Sequence, residues 1–146
     1  IIGEIQKLGL NIHTHESKNK INPKVDIYLV NTYGKTKSFF KICKTVFLGG
    51  SLIKHGGQNP LEAVRYGCSI LHGPNNWNFK EIYEMLNTYK VSSRINNIRQ
   101  LTKKVDIMLS KKINSKNIEL KIKNLGNKIL SSTLNEINFF IDKNEN

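Results

Sequence analysis

Long apolar runs are absent from this chain of 146 residues. No stretch approaches the ~20 consecutive apolar residues that a membrane-spanning helix requires. The apolar residues make up 38% of the sequence and are spread along it, which argues against a disordered chain. The length and composition therefore predict a folded domain with its own hydrophobic core.

Cysteine is scarce, since only Cys43 and Cys68 are present, and both lie in apolar surroundings. They form no CxxC pair, and neither has a histidine partner at metal-ligand spacing. The four histidines show no HExxH pattern. His13 and His15 could share one face of a strand, but no third ligand is near them in the sequence. We therefore expect two free, buried thiols and no metal site.

Arginine is also scarce, because only three of the 23 basic residues are arginines and the rest are lysines. The net charge of +12 favours anionic partners in general, such as nucleic acid, anionic lipid or phosphorylated small molecules. Proteins that read base edges usually rely on arginine, and no zinc finger, RNP sequence or helix-turn-helix is present. We expect no specific nucleic-acid partner. An AT-rich genome also produces sequences rich in Lys, Asn and Ile, so the charge alone does not establish binding.

Short apolar runs alternate with amphipathic segments, and this pattern predicts an α/β fold with a parallel sheet. Gly126 leaves open whether the last amphipathic segment forms one unbroken helix. We expect residues 1–112 to form the sheet domain and residues 113–146 to form a helical extension. Strands are expected at 10–14, 25–30, 45–49, 68–73 and 90–95, and helices at 4–9, 35–43, 60–66, 78–89, 97–110 and 115–141.

The segment 47–67, FLGGSLIKHGGQNPLEAVRYG, contains two glycine pairs between a predicted strand and a predicted helix. Ligands of open α/β sheets bind beyond the carboxyl ends of the strands, and glycines let a ligand approach the backbone closely. Backbone N–H groups in such a loop can also point at an anion. These considerations favour a nucleotide or sugar-phosphate site, although paired glycines are also common in simple turns.

The start of the following helix has two interpretations. Asn59 suits the N-cap, Pro60 the first helical position and Gly67 the position just past the end. The free N–H groups of that helix suit a phosphate, and the Glu62 carboxylate could accept hydrogen bonds from sugar hydroxyls. Alternatively, Asn59 and Glu62 form a capping box in which Glu62 bonds to the Asn59 backbone N–H. The residues alone do not decide between the two.

The order of these motifs resembles that of a known family. FLGGS at 47–51, GGQNPLEA at 56–63 and GCSILHGPNNWNF at 67–79 resemble the C-terminal half of the bacterial 3-deoxy-D-manno-octulosonic acid (Kdo) transferases. The family shows VGGS, GGHNPLEP and GxPVxxGPxxxNF in this order. A DTMGEL-like element of the family appears in altered form at 31–36. The resemblance covers roughly residues 24–110.

The resemblance implies a Rossmann-like parallel sheet with flanking helices, the C-terminal half of a GT-B glycosyltransferase, incomplete at its N-terminus. Such enzymes use CMP-Kdo as donor, need no further cofactor, and transfer Kdo to a lipid A precursor at the cytoplasmic face of the inner membrane. The catalytic base of the family is a carboxylate of the N-terminal domain. The resemblance therefore implies no catalytic residue in this chain, and no transferase activity of this fragment alone.

The resemblance also implies a donor-binding role for particular residues of the glycine-rich segment. Gly49, Gly50 and Ser51 would line the donor side, Gly56, Gly57, Gln58 and Asn59 would cradle the phosphate, and Glu62 would bind the ribose hydroxyls.

Three positions depart from the family pattern. Gln58 replaces the usual histidine of GGHN, and Asn31 and Lys35 replace two acidic residues of the DTMGEL-like element. These changes leave two alternatives to an active transferase. One is a truncated or diverged, non-catalytic remnant, and the other is a basic module that binds nucleic acid or a membrane surface.

Overall fold

The computed structural model of this chain describes residues 1–15, 24–111 and 113–144. The chain divides into two compact units, Ile1–Ser38 and Phe39–Asn146. The predicted boundary between residues 112 and 113 stays a prediction.

The first unit contains a short helix and two parallel strands. Helix α1 spans Ile2–Lys7, strand β1 spans Ile12–Thr14 and strand β2 spans Ile27–Leu29. The side chain of Asp26 accepts hydrogen bonds from the backbone N–H and the side-chain amide of Asn11, at 2.8 and 3.1 Å, and so joins the amino ends of the strands. Both predicted strands are confirmed, but β2 is half-buried rather than covered on both faces. Most of the polar segment between the two strands, residues 16–23, lies outside the described residues.

The second unit is a three-stranded parallel sheet with helices packed on it. The strand order is β3-β4-β5, and the register pairs Leu48 with His72 and Ile70 with Ser92. The predicted fold class, a Rossmann-like parallel sheet with flanking helices, is therefore confirmed. Helix α2 (Thr36–Ile42) crosses the boundary between the two units. The elements that follow it are β3 (Thr45–Leu48), α3 (Leu61–Arg65), β4 (Ser69–His72), a 3-10 turn (Trp77–Phe79), α4 (Lys80–Thr88), β5 (Ser92–Arg94), α5 (Ile98–Ser110) and α6 (Ser115–Asn144).

The hydrophobic core of this unit surrounds the central strand β4. All four residues of β4 are buried, including the polar Ser69 and His72, because this strand has a neighbouring strand on each side. Val64 of α3 and Leu86 of α4 are fully buried against it. Strand β3 pairs with β4 alone in this sheet, so Phe47 stays 37% exposed where a buried strand was expected.

Helix α3 is defined by a cap at each end. The Asn59 side-chain oxygen accepts the Leu61 N–H at 3.0 Å. The helix begins one residue later than predicted, so Pro60 rather than Asn59 occupies the N-cap position. At the other end, Gly67 adopts a φ of +74° and donates its N–H to Val64 at 3.0 Å. This is the left-handed conformation that glycine adopts most readily after the last helical residue, and the predicted terminus is confirmed.

The last segment forms one helix of 30 residues, which answers the question that Gly126 left open. Ile118 and Ile122, in the first turns of α6, pack against the core. The backbone of Ser115 approaches so closely that a Cβ atom on Gly67 would lie 2.6 Å from its carbonyl oxygen. Among the described residues, no helix has the length and hydropathy needed to cross a bilayer.

Candidate functional site

Two loops leave the sheet side by side at one edge. Because β3 and β4 are parallel and pair Leu48 with His72, both strands end at this carboxyl edge. We call residues 49–60, which follow β3, the glycine loop, and residues 73–79, which follow β4, the asparagine loop. Open α/β sheets bind their ligands at this edge, so both loops belong to the candidate site.

The buried hydroxyl of Ser51 joins the two loops. Ser51 is fully buried, and its Oγ donates to the Leu48 carbonyl at 2.6 Å while accepting the Gly73 N–H at 2.8 Å. Its carbonyl oxygen also accepts the Asn75 N–H at 2.9 Å. The hydroxyl is therefore engaged within the protein and holds the glycine loop in place. The predicted contact of Ser51 with a donor stays a prediction.

The glycines at 56 and 57 let the asparagine loop pack closely on the glycine loop, with side chains against Gly56 and backbone against Gly57. Gly56 has a φ of +92°, and a Cβ atom there would collide with the Asn78 amide and lie 3.0 Å from Trp77 Nε1. A Cβ atom on Gly57 would lie 3.2 Å from the Asn76 Cα. The second glycine pair thus has a structural reason that is independent of any ligand.

Other predicted residues lie open to solvent. Gly49 is exposed, and nothing would lie within 4 Å of a Cβ atom built there. Gln58 is exposed as well, while its carbonyl accepts the Tyr83 hydroxyl at 2.8 Å. Asn59 and Glu62 are exposed at the start of α3, and the Asn59 side chain accepts the Leu61 N–H. A ligand can therefore reach the Glu62 carboxylate, and its predicted role at a ribose stays a prediction.

A pocket of about 310 Å³ opens beside the asparagine loop, between the ends of β4 and β5 and helix α4. We call it the His72 pocket. The sequence contained one indication of this pocket. His72 is a polar residue at the carboxyl end of a buried strand, where ligands of α/β sheets bind. Sequence reasoning nevertheless missed it. The pocket is lined by His72, Pro74, Asn76, Trp77, Lys80, Tyr83, Glu84, Asn87 and Arg94.

The electrostatics of the pocket depend on two buried rings. His72 is 4% exposed, and its ring centroid lies 4.2 Å from that of Tyr83. Burial lowers the pKa of His72 below its usual 6.5, although the hydrogen bond to Gly73 opposes this. Burial also raises the pKa of Tyr83 to about 12, so its hydroxyl stays protonated and donates to the glycine loop.

Comparisons with known proteins found relatives in sequence and a solved structure with a similar fold. No model of a protein family matches the chain. The chain is 29% identical to a 3-deoxy-D-manno-octulosonic acid transferase of Haemophilus influenzae over 122 residues, which are 83% of this chain and 28% of that protein. The enzyme of the same name in Bordetella pertussis is 34% identical over 40% of this chain and 14% of that protein. The one in Rickettsia bellii is 42% identical over 34% of this chain and 12% of that protein. The chain thus spans less than a third of the length of these relatives.

A solved structure shares the fold. It is the crystal structure of the C-terminal CMP-Kdo binding domain of WaaA from Acinetobacter baumannii, with a TM-score of 0.74 and 20% identity over 84% of this chain and 64% of that one. The fold is thus that of a Rossmann-like C-terminal domain of a glycosyltransferase. In sequence, the chain is similar to the Kdo transferases, so the resemblance predicted from the motifs is confirmed.

Proposed function

We propose that this chain is the donor-binding C-terminal part of a Kdo transferase, which moves Kdo from CMP-Kdo to a lipid A precursor in lipopolysaccharide biosynthesis. One observation carries the proposal: the chain is similar to Kdo transferases over 83% of its length and shares the fold of a CMP-Kdo binding domain. The loops that follow β3 and β4 leave the carboxyl edge of the sheet, where open α/β sheets bind their ligands, and this position supports the proposal.

The exposed part of the glycine loop binds the nucleotide. Gly49 offers exposed backbone without a side chain in the way, whereas Gly50 lies beside the His55 ring. The loop from Gly56 to Asn59 cradles the phosphate, and Gln58 and Asn59 are its exposed residues. The exposed carboxylate of Glu62 accepts hydrogen bonds from the ribose hydroxyls. N–H groups aimed at the phosphate stabilise the negative charge that CMP gains as it leaves. Ser51, in contrast, acts from its buried position by fixing the loop.

The chemical step needs a residue outside this chain. In an inverting transfer, a carboxylate deprotonates a hydroxyl of the lipid A precursor, and the oxygen attacks the anomeric carbon of Kdo while CMP leaves. We assign that carboxylate to a preceding domain and assign none of the catalytic residues to this chain. The net charge of +12 suits a surface with anionic headgroups, which supports a location at the cytoplasmic face of the inner membrane. The donor is the substrate, and the proposal includes no cofactor.

The nucleotide site is tested by titrating the 15N-labelled chain with CMP and following its amide resonances by NMR. We expect shifts at 49–51 and 56–62. Glu62→Gln should weaken CMP binding by about tenfold, the effect of losing roughly 1.4 kcal/mol. Glu81→Gln, a matched change of an exposed glutamate in the first turn of α4, should bind CMP as the wild type does. A folded chain that shows no loop shifts at millimolar CMP would contradict the proposal.

Two alternatives, a non-catalytic remnant and a basic binding module, are each supported by one observation. Asn31, Lys35 and Gln58 depart from the family pattern, as expected of a remnant that keeps the fold without turnover. A folded chain that binds no CMP supports the remnant. The net charge favours a basic binding module instead, which predicts tight oligonucleotide binding at physiological salt.

A further inference from the structure

We infer that the His72 pocket holds the acidic sugar of the activated donor, with Arg94 and Lys80 binding the sugar carboxylate and His72 accepting a hydrogen bond from a sugar hydroxyl. This inference rests on the proposed function. It assigns the sugar to a part of the molecule outside the glycine loop and names residues that select an acidic sugar.

The pocket adjoins the glycine loop directly. Trp77, in the pocket wall, packs on Gly56, where a Cβ atom would lie 3.0 Å from the indole nitrogen. Tyr83, also in the wall, donates its hydroxyl hydrogen to the Gln58 carbonyl at 2.8 Å. A nucleotide held on the glycine loop therefore has the pocket as its neighbour.

The charges in the wall favour an anion. Lys80 and Arg94 are the cations that line the pocket, and both are exposed. The acidic side chain of the wall is Glu84, which lies 3.9 Å from Lys80 and so partly balances that cation. This leaves Arg94 with its charge available. The planar guanidinium of arginine matches a carboxylate with two parallel hydrogen bonds, which a neutral sugar cannot accept in the same way.

His72 provides the complementary group for a hydroxyl. Its Nδ1 lies 2.9 Å from the Gly73 carbonyl oxygen and 3.3 Å from the Asn76 amide nitrogen. The shorter contact is to an oxygen that can only accept, so we assign the hydrogen to Nδ1. In the neutral ring, Nε2 then has a lone pair and is the nitrogen left for a ligand. This lone pair accepts a hydrogen bond from a hydroxyl group, whereas it repels the oxygens of a carboxylate. An acceptor next to two cations fits a ligand that carries both hydroxyls and a carboxylate, as a sugar acid does.

The size and shape of the pocket also fit a single sugar. Its volume of about 310 Å³ is near the lower end of the ~300–1,000 Å³ range of small-molecule sites. That is too small for a whole nucleotide sugar, so the nucleotide lies outside it. Trp77 is 55% exposed and offers a flat apolar face on which the C–H groups of a sugar ring can pack.

The test compares CMP with freshly prepared CMP-Kdo as ligands of the full chain by calorimetry. The wild type should bind CMP-Kdo at least about tenfold more tightly than CMP. Arg94→Gln should abolish this difference and leave the affinity for CMP unchanged. Arg99→Gln removes the same charge from an exposed position on α5 that does not line the pocket, and it should keep the difference.

A second readout reports on His72 itself. Titration with free Kdo should shift the Nε2 resonance of His72 in a 15N–1H correlation spectrum, and the uncharged methyl ester of Kdo should bind more weakly. Equal affinities of the wild type for CMP and CMP-Kdo, or an undiminished difference in Arg94→Gln, would overturn the sugar site while the nucleotide site stands. If neither CMP nor CMP-Kdo binds, the proposed function itself fails.

Discussion

Ser51 shows how much of this site depends on one buried hydroxyl. It accepts the Gly73 N–H and donates to the Leu48 carbonyl. Ser51→Ala should lower the free energy of unfolding by about 1–3 kcal/mol, because the buried Gly73 N–H loses its acceptor. Urea denaturation measures the change. Ser132→Ala, at an exposed position of α6, should change it by less than about 0.5 kcal/mol, and equal losses in the two variants would contradict the assigned role.

The two cysteines should differ in reactivity. Both are free, Cys68 is fully buried, and its thiol donates to the Phe40 and Cys43 carbonyls at 3.3 and 3.2 Å. Burial, helped by the nearby Cys43, raises the pKa of Cys68 to about 11, and the thiolate is the reactive form. Iodoacetamide should modify the partly exposed Cys43 first and Cys68 only in denaturant, as peptide mass spectrometry can measure. Equal rates in the folded chain would show that Cys68 is accessible.

His72 gives the folded chain a pH-dependent stability. Its pKa is lowered chiefly by burial, so the unfolded chain takes up this proton at a higher pH than the folded chain. The stability that neutral His72 contributes is therefore fully present above a pH of about 6.5 and is lost as the pH falls toward the folded-state pKa. We expect the urea midpoint to decrease when the pH is lowered from 7.5 to about 5. His72→Gln should show a flatter dependence, and parallel curves would rule out this histidine as the cause.

At the scale of elements, the junction of α3 and α6 is a closely packed contact. Gly67 has a φ of +74°, and a Cβ atom there would meet the Ser115 backbone. Gly67→Ala should lower the free energy of unfolding by more than about 2 kcal/mol, since the left-handed conformation alone costs roughly 1–2 kcal/mol. Amide hydrogen exchange should also become faster in the first turns of α6.

Gly126→Ala is the matched control for that substitution. Gly126 lies within α6, and nothing would lie within 4 Å of a Cβ atom there. Alanine should stabilise the helix locally by about 1 kcal/mol and slow amide exchange on both sides of residue 126. Destabilisation by both alanines would mean that the Gly67 effect is not specific to the junction.

At the scale of the molecule, the chain spans 28% of the length of its Haemophilus influenzae relative. We propose that it carries the donor site and not the catalytic base. Incubation of this chain with CMP-Kdo and a lipid A precursor should therefore yield no Kdo-modified lipid above the no-protein control, as mass spectrometry can measure. Addition of an N-terminal domain from a related transferase is the positive control. Transfer by this chain alone would place a catalytic base within it.

Much of the architecture could be predicted from local sequence. The buried run 68–73 and the amphipathic run 97–110 correspond to β4 and α5, because the periodicity of a strand or a helix is a property of consecutive residues. Asn59 and Gly67 marked the ends of α3 for the same reason, since capping involves groups only a few residues apart. The motif order was enough to predict the resemblance to Kdo transferases.

The contacts of the site required the folded chain. Ser51 and Gly73 are 22 residues apart, and they meet because the parallel register places Leu48 beside His72. The same register brings His72 and Arg94 to one end of the sheet, where with α4 they enclose a pocket. No local pattern encodes such a meeting, because strand register is set by the packing of the whole sheet. Local spacing thus predicted which segments form the site, and tertiary packing decided which atoms face a ligand.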